Sequence, residues 1–264
     1  MAANFDGLRF SHWQTELRAD GIVVLAFDRQ GASVNAFSQD VLIELADILE
    51  RLTIDPPKGV VLRSAKASGF IAGADLKEFQ EFDRKGTVND AIRRGQAVFQ
   101  KLAELPCPTV SAIHGFCMGG GTEISLACDF RLVTETTRYA LPEQKLGQIP
   151  GSGGSARLQK MVGITRTKDI VMRSRRIPGQ QAYEWGVATE CVPDAELEAA
   201  TDRLVDELRA FSPIAQRTAK KLLNDTEDST LTVAIELEGH CYSRLRSSDD
   251  FREGVEAFHG KRNP

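Results

Sequence analysis

The sequence lacks the features that mark several classes of protein. Its five cysteines form no CxxC pair and are odd in number, which argues against a disulfide framework or a structural zinc site. No run approaches the roughly 20 apolar residues of a membrane-spanning helix. The first residues, MAANFDG, lack the positive and apolar segments of a secretory signal. We therefore expect reduced thiols, no membrane partner and a cytoplasmic location.

Neither sign of charge dominates. Lys and Arg number 33 and Asp and Glu 37, a formal net charge of −4, whereas nucleic-acid-binding domains typically carry a clear basic excess. Hydrophobic residues at 42% and charged residues at 27% are ordinary for a globular protein. A chain of 264 residues buries a sizeable core without disulfide or metal staples. We expect no nucleic-acid partner.

The first half alternates strand and helix patterns. Four apolar runs rich in β-branched residues predict strands, at 21–28, 59–63, 109–113 and 130–134. Ser38 predicts the N-cap of a helix whose apolar residues recur at helical spacing from 41 to 52. Further helices are predicted at 88–105 and 121–128. This alternation favours an α/β core with parallel strands.

After about residue 155 the pattern is helical, with one short strand predicted near 189–192. The predicted helices are 155–163, 165–173, 180–186, 194–210, 213–224 and 230–246, followed by a final helix. No Ser-, Gly- or Pro-rich linker marks a boundary. The sequence therefore predicts one α/β body with a helical C-terminal extension.

Three consecutive glycines, Gly119 to Gly121, follow a predicted strand and open a predicted helix. Glycine lets a ligand approach without a Cβ in the way, and the first N–H groups of a helix have no intrahelical partner. A second glycine-bearing turn, 69–75, also follows a strand and leads into a helix. Two N–H donors from separate segments would together hold an enolate or a tetrahedral oxyanion. Taken alone, each segment is more typical of a tight turn.

Two glutamates accompany these turns. Glu123 lies in the first turn of the helix that Gly120 opens, and Glu143 follows Pro142, which fixes the backbone just past another strand. A carboxylate can take a proton and a carboxylic acid can deliver one, so the pair suits acid-base chemistry. Taken singly, either glutamate is more typical of a solvated surface.

Other motifs are weaker. Residues 151–156, GSGGSA, match the dinucleotide pattern GxGxxA but follow Ile149-Pro150 rather than a strand, which disfavours a dinucleotide site. No GxSxG turn supplies a serine nucleophile. His114, beside Gly115, is more typical of a structural residue at the end of a strand.

In combination, these segments resemble the enoyl-CoA hydratase/isomerase (crotonase) family, and most closely the hydratase portion of multifunctional fatty-acid oxidation enzymes. The matching segments are IAGAD (71–75), HGFCMGGGTE (114–123), LPEQKLGQIPGSGG (141–154) and FREGVEAFHGKR (251–262). The resemblance runs from VNAFS (34–38) to the end of the chain. It implies a spiral of ββα units over residues 1–200, a helical trimerisation region at 201–264, and assembly as trimers or paired trimers.

The resemblance also implies a site. The N–H groups of Ala74 and Gly120 would hold the oxyanion, and Glu123 and Glu143 would be the catalytic pair. The substrate-binding residues it implies are Ala74, Asp75, Leu76, Lys77 and Gly120, with Lys77 a candidate for the CoA phosphates. The acyl-CoA thioester is then the substrate, and no separate cofactor or metal is implied.

Hydration fits this pair of carboxyl groups. The oxygen of water must reach C3 of a double bond conjugated to a thioester, and C2 must receive a proton. Two carboxyl groups around one water resist ionising together, so the pKa of one rises, and the helix N-terminus favours the charged form of Glu123. We therefore expect Glu123 to act as the base and Glu143 to deliver the proton to C2.

Three alternatives stay open. An enoyl-CoA isomerase would use Glu143 to move a proton between C2 and C4. An RNA-binding protein of this fold would need a basic stripe, but the helix at 88–105 offers only Arg93, Arg94 and Lys101 beside acidic residues. A catalytically silent subunit is disfavoured by the intact glutamate pair.

Overall fold

The computed structural model describes residue 5 and residues 8–262. In that part of the chain, strands β1 to β10 are Trp13–Leu17, Ile22–Phe27, Gly59–Ser64, Gly69–Ile71, Thr109–Ile113, Phe116–Met118, Phe130–Thr134, Arg138–Ala140, Ile177–Pro178 and Glu190–Val192. Helices α1 to α10 are Gln39–Ile54, Phe79–Lys85, Val88–Ala103, Gly120–Leu126, Gly154–Met172, Gly179–Glu184, Leu197–Arg209, Pro213–Thr226, Leu231–Leu245 and Asp249–Gly260. The chain is a mixed α/β protein that ends in helices, as predicted.

From β3 to β8, successive strands alternate between two sheets. The larger sheet has the order β1-β2-β3-β5-β7-β10, and the smaller sheet has the order β4-β6-β8-β9. Neighbouring strands are parallel except for the β1–β2 pair and the β8–β9 pair. The pairs β3–β4, β5–β6 and β7–β8 each give one strand to each sheet before the chain enters a helix. This is the spiral of ββα units that the family resemblance implies.

Alternate side chains of a strand point to opposite sides of a sheet, and the central strands of the larger sheet are buried on both. In β2, Val23, Leu25 and Phe27 belong to the main core cluster, which includes the apolar face of α1. Ile22 and Val24 pack in a second cluster with Leu204 and Val205 of α7. Helices on both faces explain why the central strands β2, β3, β5 and β7 form mainly apolar runs.

Helix α1 forms as predicted. The Ser38 hydroxyl accepts a hydrogen bond from the N–H of Val41, which satisfies one of the unpaired donors at the helix start. Its buried face consists of Val41, Leu42, Leu45, Ile48, Leu49 and Leu52. These are the positions whose spacing predicts the helix, and they hold it against the sheet.

Two local features depart from or refine the predictions. Residues 69–75 are not wholly a turn, since Gly69–Ile71 form β4 and pair with β6. Gly163, at φ 78° and ψ 165°, interrupts α5, so that Gly154–Met172 consists of two helical stretches separated at the boundary that the sequence predicts.

The cysteines are all free. Cys107, Cys117 and Cys128 are buried, and burial raises the pKa of each thiol to about 12. They act as small apolar filler, as expected. None of the helices in the described residues is long and apolar enough to cross a membrane.

Candidate active site

The candidate site lies at the carboxyl ends of three adjacent parallel strands. β4, β6 and β8 are neighbours in the smaller sheet and run in the same direction. Ala74, Gly120 and Glu143 each follow one of these strands within three residues. The carboxyl ends of parallel strands share one edge of a sheet, and this is where open α/β folds bind ligands. Three segments that are far apart in sequence therefore meet there.

The N–H of Ala74 points away from Phe37, the residue with which both neighbours of Ala74 form backbone hydrogen bonds. Phe37 donates its N–H to the carbonyl of Gly73 at 2.8 Å and accepts the N–H of Asp75 at 2.7 Å. In extended backbone, the N–H and C=O of one residue point away from the side to which those of its neighbours point. Because Gly73 and Asp75 both face Phe37, the N–H of Ala74 faces the opposite side.

Gly120 supplies the second amide. It is the first residue of α4, so its N–H has no partner within the helix. A Cβ on Gly120 would lie 3.7 Å from the carbonyl carbon of Gly73, which belongs to the same peptide unit as the N–H of Ala74. A Cβ on Gly73, whose φ is +121°, would lie 3.8 Å from the nitrogen of Gly120. The structure thus brings the two amides together.

Glu123 is buried in the first turn of α4, with 5% of its surface exposed. Its Oε1 accepts the N–H of Ser152 at 2.6 Å and the N–H of Gly154 at 3.0 Å. Burial raises the pKa of Glu123 above its ordinary value, although these two bonds and the charge of Arg157 lower it. From the sequence, the helix N-terminus is expected to favour the charged form of Glu123. In the structure, burial raises the pKa of Glu123 more than the N–H donors lower it.

Glu143 begins a single turn of 3₁₀-helix after β8. Its Oε1 lies against Gly119, where a Cβ would come within 3.0 Å of it. Its Oε2 is buried and has no hydrogen-bond partner among the described residues. Burial, with a smaller contribution from the negative charge of Glu123, raises the pKa of Glu143 to about 7. A carboxyl group in this state can donate or accept a proton near neutral pH.

The segment after Ala74 is tied to the body of the protein. Asp75 forms an ion pair with Arg29 at 2.5 Å and accepts the backbone N–H of Lys77 at 3.0 Å. Burial raises the pKa of Asp75, but these two bonds outweigh it and hold the pKa below its ordinary value. The Asp75 carboxylate is therefore engaged within the protein, while Ala74, Leu76 and Lys77 are exposed.

The glycine-rich loop 151–154 has a different role from the one that its dinucleotide pattern suggests. Its N–H groups at Ser152 and Gly154 bind the carboxylate of Glu123. The loop opens α5, where backbone amides at a helix N-terminus suit an anion. The anion in this structure is a side chain of the protein itself. Sequence reasoning missed this contact and the residues that support the loop, among them Arg157.

His114 has a structural contact, in keeping with its interpretation from the sequence. Its Nε2 lies 2.9 Å from the carbonyl oxygen of Lys66, in the loop before β4. The described residues hold no group of three or more His, Cys, Asp and Glu side chains arranged to bind a metal ion.

A spiral of ββα units, with two backbone amides that meet at the carboxyl edge of the smaller sheet, defines a protein of the crotonase fold. Residues 18–264 match the Enoyl-CoA hydratase/isomerase family, and the chain belongs to this family. It is 34% identical over 264 residues to the mitochondrial methylglutaconyl-CoA hydratase of Mus musculus, covering 98% of this chain and 83% of the relative. It is also similar to an enoyl-CoA hydratase structure from Bacillus anthracis, with 32% identity, a TM-score of 0.91, and coverage of 96% of this chain and 98% of that chain.

A further relative is a multifunctional protein. The chain is 34% identical over 206 residues to the fatty acid oxidation complex subunit alpha of Vibrio parahaemolyticus. The match covers 77% of this chain but 29% of the relative. It agrees with the resemblance to one portion of such enzymes.

Proposed function

We propose that the protein is an enoyl-CoA hydratase, which adds water across the 2,3 double bond of an enoyl-CoA thioester. The observation that carries the proposal is the half-buried carboxyl of Glu143, whose pKa is raised to about 7. It lies near Glu123, at the edge where the amides of Ala74 and Gly120 meet. The family to which the chain belongs contains hydratases and isomerases.

In the proposed reaction, the N–H groups of Ala74 and Gly120 bind the thioester oxygen. Glu123 takes a proton from water while the water oxygen forms a bond to C3, and the electrons of the double bond move onto the thioester oxygen as an enolate. The two amides stabilise that charge. Glu143 then delivers its proton to C2, and the enolate electrons form the new C–H bond. Exchange of protons with solvent restores both glutamates.

This reaction neither oxidises nor reduces the substrate, so we propose that no separate cofactor takes part. CoA enters as part of the thioester. The exposed Lys77, next to the oxyanion segment, is our candidate for a contact with the CoA phosphates.

The proposal is tested by the ultraviolet absorbance of the conjugated enoyl thioester, with the product identified by chromatography. Wild-type protein is expected to consume the chromophore and form 3-hydroxyacyl-CoA. E123Q and E143Q are each expected to lower kcat roughly 10²–10⁴-fold while still binding acyl-CoA. Near-normal turnover in either variant would contradict the assigned role.

The acyl group is identified by a panel of substrates. It consists of C4, C8 and C16 enoyl-CoA thioesters together with methylglutaconyl-CoA, because the mouse relative carries that name. The highest kcat/KM in the panel identifies the preferred acyl group. If no thioester were hydrated, the proposed function would be wrong.

Isomerisation is the second candidate, and one observation favours it. A carboxyl with a pKa of about 7 can both remove and return a proton near neutral pH, so Glu143 alone could shift a double bond. Conversion of 3-enoyl-CoA to the 2-enoyl isomer is the corresponding assay. An isomerase would keep most of this activity in E123Q, whereas a hydratase would lose water addition in that variant.

We further propose that residues 201–264 form the trimerisation region. Helices α8 to α10 expose large apolar side chains that a partner would cover, namely Leu223, Leu231, Ile235, Tyr242 and Phe258. Leu231 is 76% exposed and Phe258 is 81% exposed. Sedimentation equilibrium is expected to give a trimer or a hexamer, and a monomer at micromolar concentration would contradict this proposal.

We also propose a cytoplasmic location. The free cysteines suit a reducing compartment. The mouse relative is named as mitochondrial, so fractionation of the source cells is the direct test.

A further inference from the structure

Arg157 returns from the first turn of α5 to the loop that holds Glu123. Its Nη1 donates to the carbonyl oxygen of Ser152 at 3.2 Å, and its Nη2 donates to Oε1 of Gln100 on α3 at 2.8 Å. The guanidinium lies over Gly153, where a Cβ would come within 2.2 Å of Nη1. Gly153 has a φ of +101°, which favours glycine independently. Arg157 therefore fixes the loop in place from the side of α5.

Helix α3 holds the same loop from the other side. Gln96 donates from Nε2 to the carbonyl oxygen of Gly151 at 2.8 Å. A Cβ on Gly95 would lie 2.8 Å from Oγ of Ser152, so the helix and the loop are in direct contact. The loop is fixed between α3 and α5 in the position where the N–H groups of Ser152 and Gly154 meet Glu123.

Arg157 also supplies charge near Glu123. Among the described residues, the charged groups that interact with the two carboxyls are Arg157 on α5, which acts on Glu123, and Glu123 itself, which acts on Glu143. Glu227, after α8, also acts on Arg157. Burial lowers the pKa of Arg157, but a guanidinium keeps its proton in proteins. A fixed positive charge therefore favours the carboxylate form of Glu123.

We propose that Arg157, held by Gln100, is a positioning residue for the base Glu123, because it fixes the amides that bind the carboxylate and stabilises its ionised form. The inference rests on the proposed hydration, in which Glu123 must be ionised to accept the proton of water. It goes beyond that proposal because it predicts that the acidic limb of the pH profile of kcat/KM depends on Arg157, a residue that does not touch the substrate.

The test compares R157M, R157K and K160M. Lys160 lies on the same helix and pairs with Asp228 at 2.8 Å and with Glu227 at 3.1 Å, so K160M removes a cation of α5 that does not contact the loop. The quantity measured is kcat/KM for hydration from about pH 5 to about pH 9, together with kcat. The acidic limb reports the ionisation of Glu123, and the basic limb reports Glu143.

R157M is expected to lower kcat roughly 10–100-fold and to move the acidic limb to higher pH, with the basic limb unchanged. R157K keeps the charge but loses the planar fork, so kcat falls while the acidic limb stays close to that of the wild type. K160M is expected to match the wild type in both respects. An acidic limb that does not move in R157M, or that moves equally in K160M, would overturn the proposal.

A milder variant, Q100L, and an NMR titration that needs no turnover complete the test. Q100L removes the acceptor of Arg157 and leaves the arginine in place; kcat is expected to fall several-fold, and an unchanged kcat would contradict the role of Gln100. Carbon-13 NMR of labelled glutamate, with the Glu123 signal assigned by E123Q, follows its ionisation directly. If no thioester is hydrated, the proposed function fails, whereas a Glu123 titration that is unshifted in R157M, as it is expected to be in K160M, refutes the role of Arg157.

Discussion

Gly121 packs so closely on Ile71 that a Cβ on Gly121 would lie 2.4 Å from the carbonyl oxygen of Ile71. Real Cβ atoms do not approach backbone oxygen to this distance, so α4 can meet β4 here only through glycine. This contact places the start of α4 beside the segment that follows β4. It therefore sets the distance between the amides of Gly120 and Ala74.

Substitution of Gly121 is expected to disrupt both stability and activity. G121A should lower the free energy of unfolding by about 3 kcal/mol and should reduce kcat, because the backbone must move apart to admit the methyl group. G239A in α9 is the matched control, since a Cβ there would meet nothing within 4 Å. Its effect should be neutral or stabilising by roughly 0.5–1 kcal/mol. Thermal and urea unfolding at one protein concentration check both, and a G121A protein as stable as the wild type would show that the contact is not constraining.

Glu143 should make the protein less stable as pH rises through neutrality. Its pKa rises from an ordinary value of 4.5 to about 7, so the unfolded chain ionises at lower pH than the folded protein. The stabilising effect of the protonated group is fully present below about pH 4.5 and is lost as pH rises through about 7. E143Q removes this dependence and should be more stable than the wild type at about pH 8, by about 1 kcal/mol after allowance for solvent exposure.

Urea unfolding of the wild type and of E143Q at several pH values checks this expectation. Glu-to-Gln variants at exposed positions serve for comparison. Parallel stability curves for the wild type and E143Q would mean that Glu143 is not perturbed in the folded protein.

Activity should decline on the alkaline side for the same reason. The proposed donor Glu143 works only while it carries its proton, so kcat/KM for hydration should fall above about pH 7. The measurement is the pH profile of the wild type with a substrate whose own ionisation does not change in this range. A rate that stays level to about pH 9 would rule out Glu143 as the group that delivers the proton.

We expect glycine at position 174 to make the folded protein more stable than the native Ser174 does. It lies just past the end of α5 with a φ of 48°, and its buried Oγ has no hydrogen-bond partner among the described residues. Glycine is the usual residue at this position after a helix. S174G should raise the free energy of unfolding by about 1 kcal/mol, as the left-handed strain and the unpaired hydroxyl are both removed. S174A separates the two effects, and a lower melting temperature in S174G would contradict the account.

The long elements of the fold follow from the sequence. The runs that form β2, β3, β5 and β7 are apolar and β-branched because helices cover both faces of the larger sheet. The Ser38 cap and the apolar spacing define α1 locally. In each of these cases the residues of the element are sufficient to predict it.

The smaller sheet does not follow from the sequence in the same way. Its strands β4, β6 and β8 are three residues each, too short for a periodic pattern, and they exist because neighbouring strands pair with them. The same holds for the support of Glu123. The sequence gives no ligand for the glycine-rich loop, and only the fold reveals that its amide at Gly154 binds a carboxylate 31 residues earlier in the chain.

The central claim is that the amides of Ala74 and Gly120 bind the thioester oxygen between two catalytic glutamates. A crystal structure of the protein with acetoacetyl-CoA, which resembles the enolate, tests it most directly. The account predicts that the thioester oxygen lies about 2.7–3.1 Å from both amide nitrogens, with the carboxyl groups of Glu123 and Glu143 facing C3 and C2. A thioester oxygen bound elsewhere, or glutamates that face away from these carbons, would contradict it.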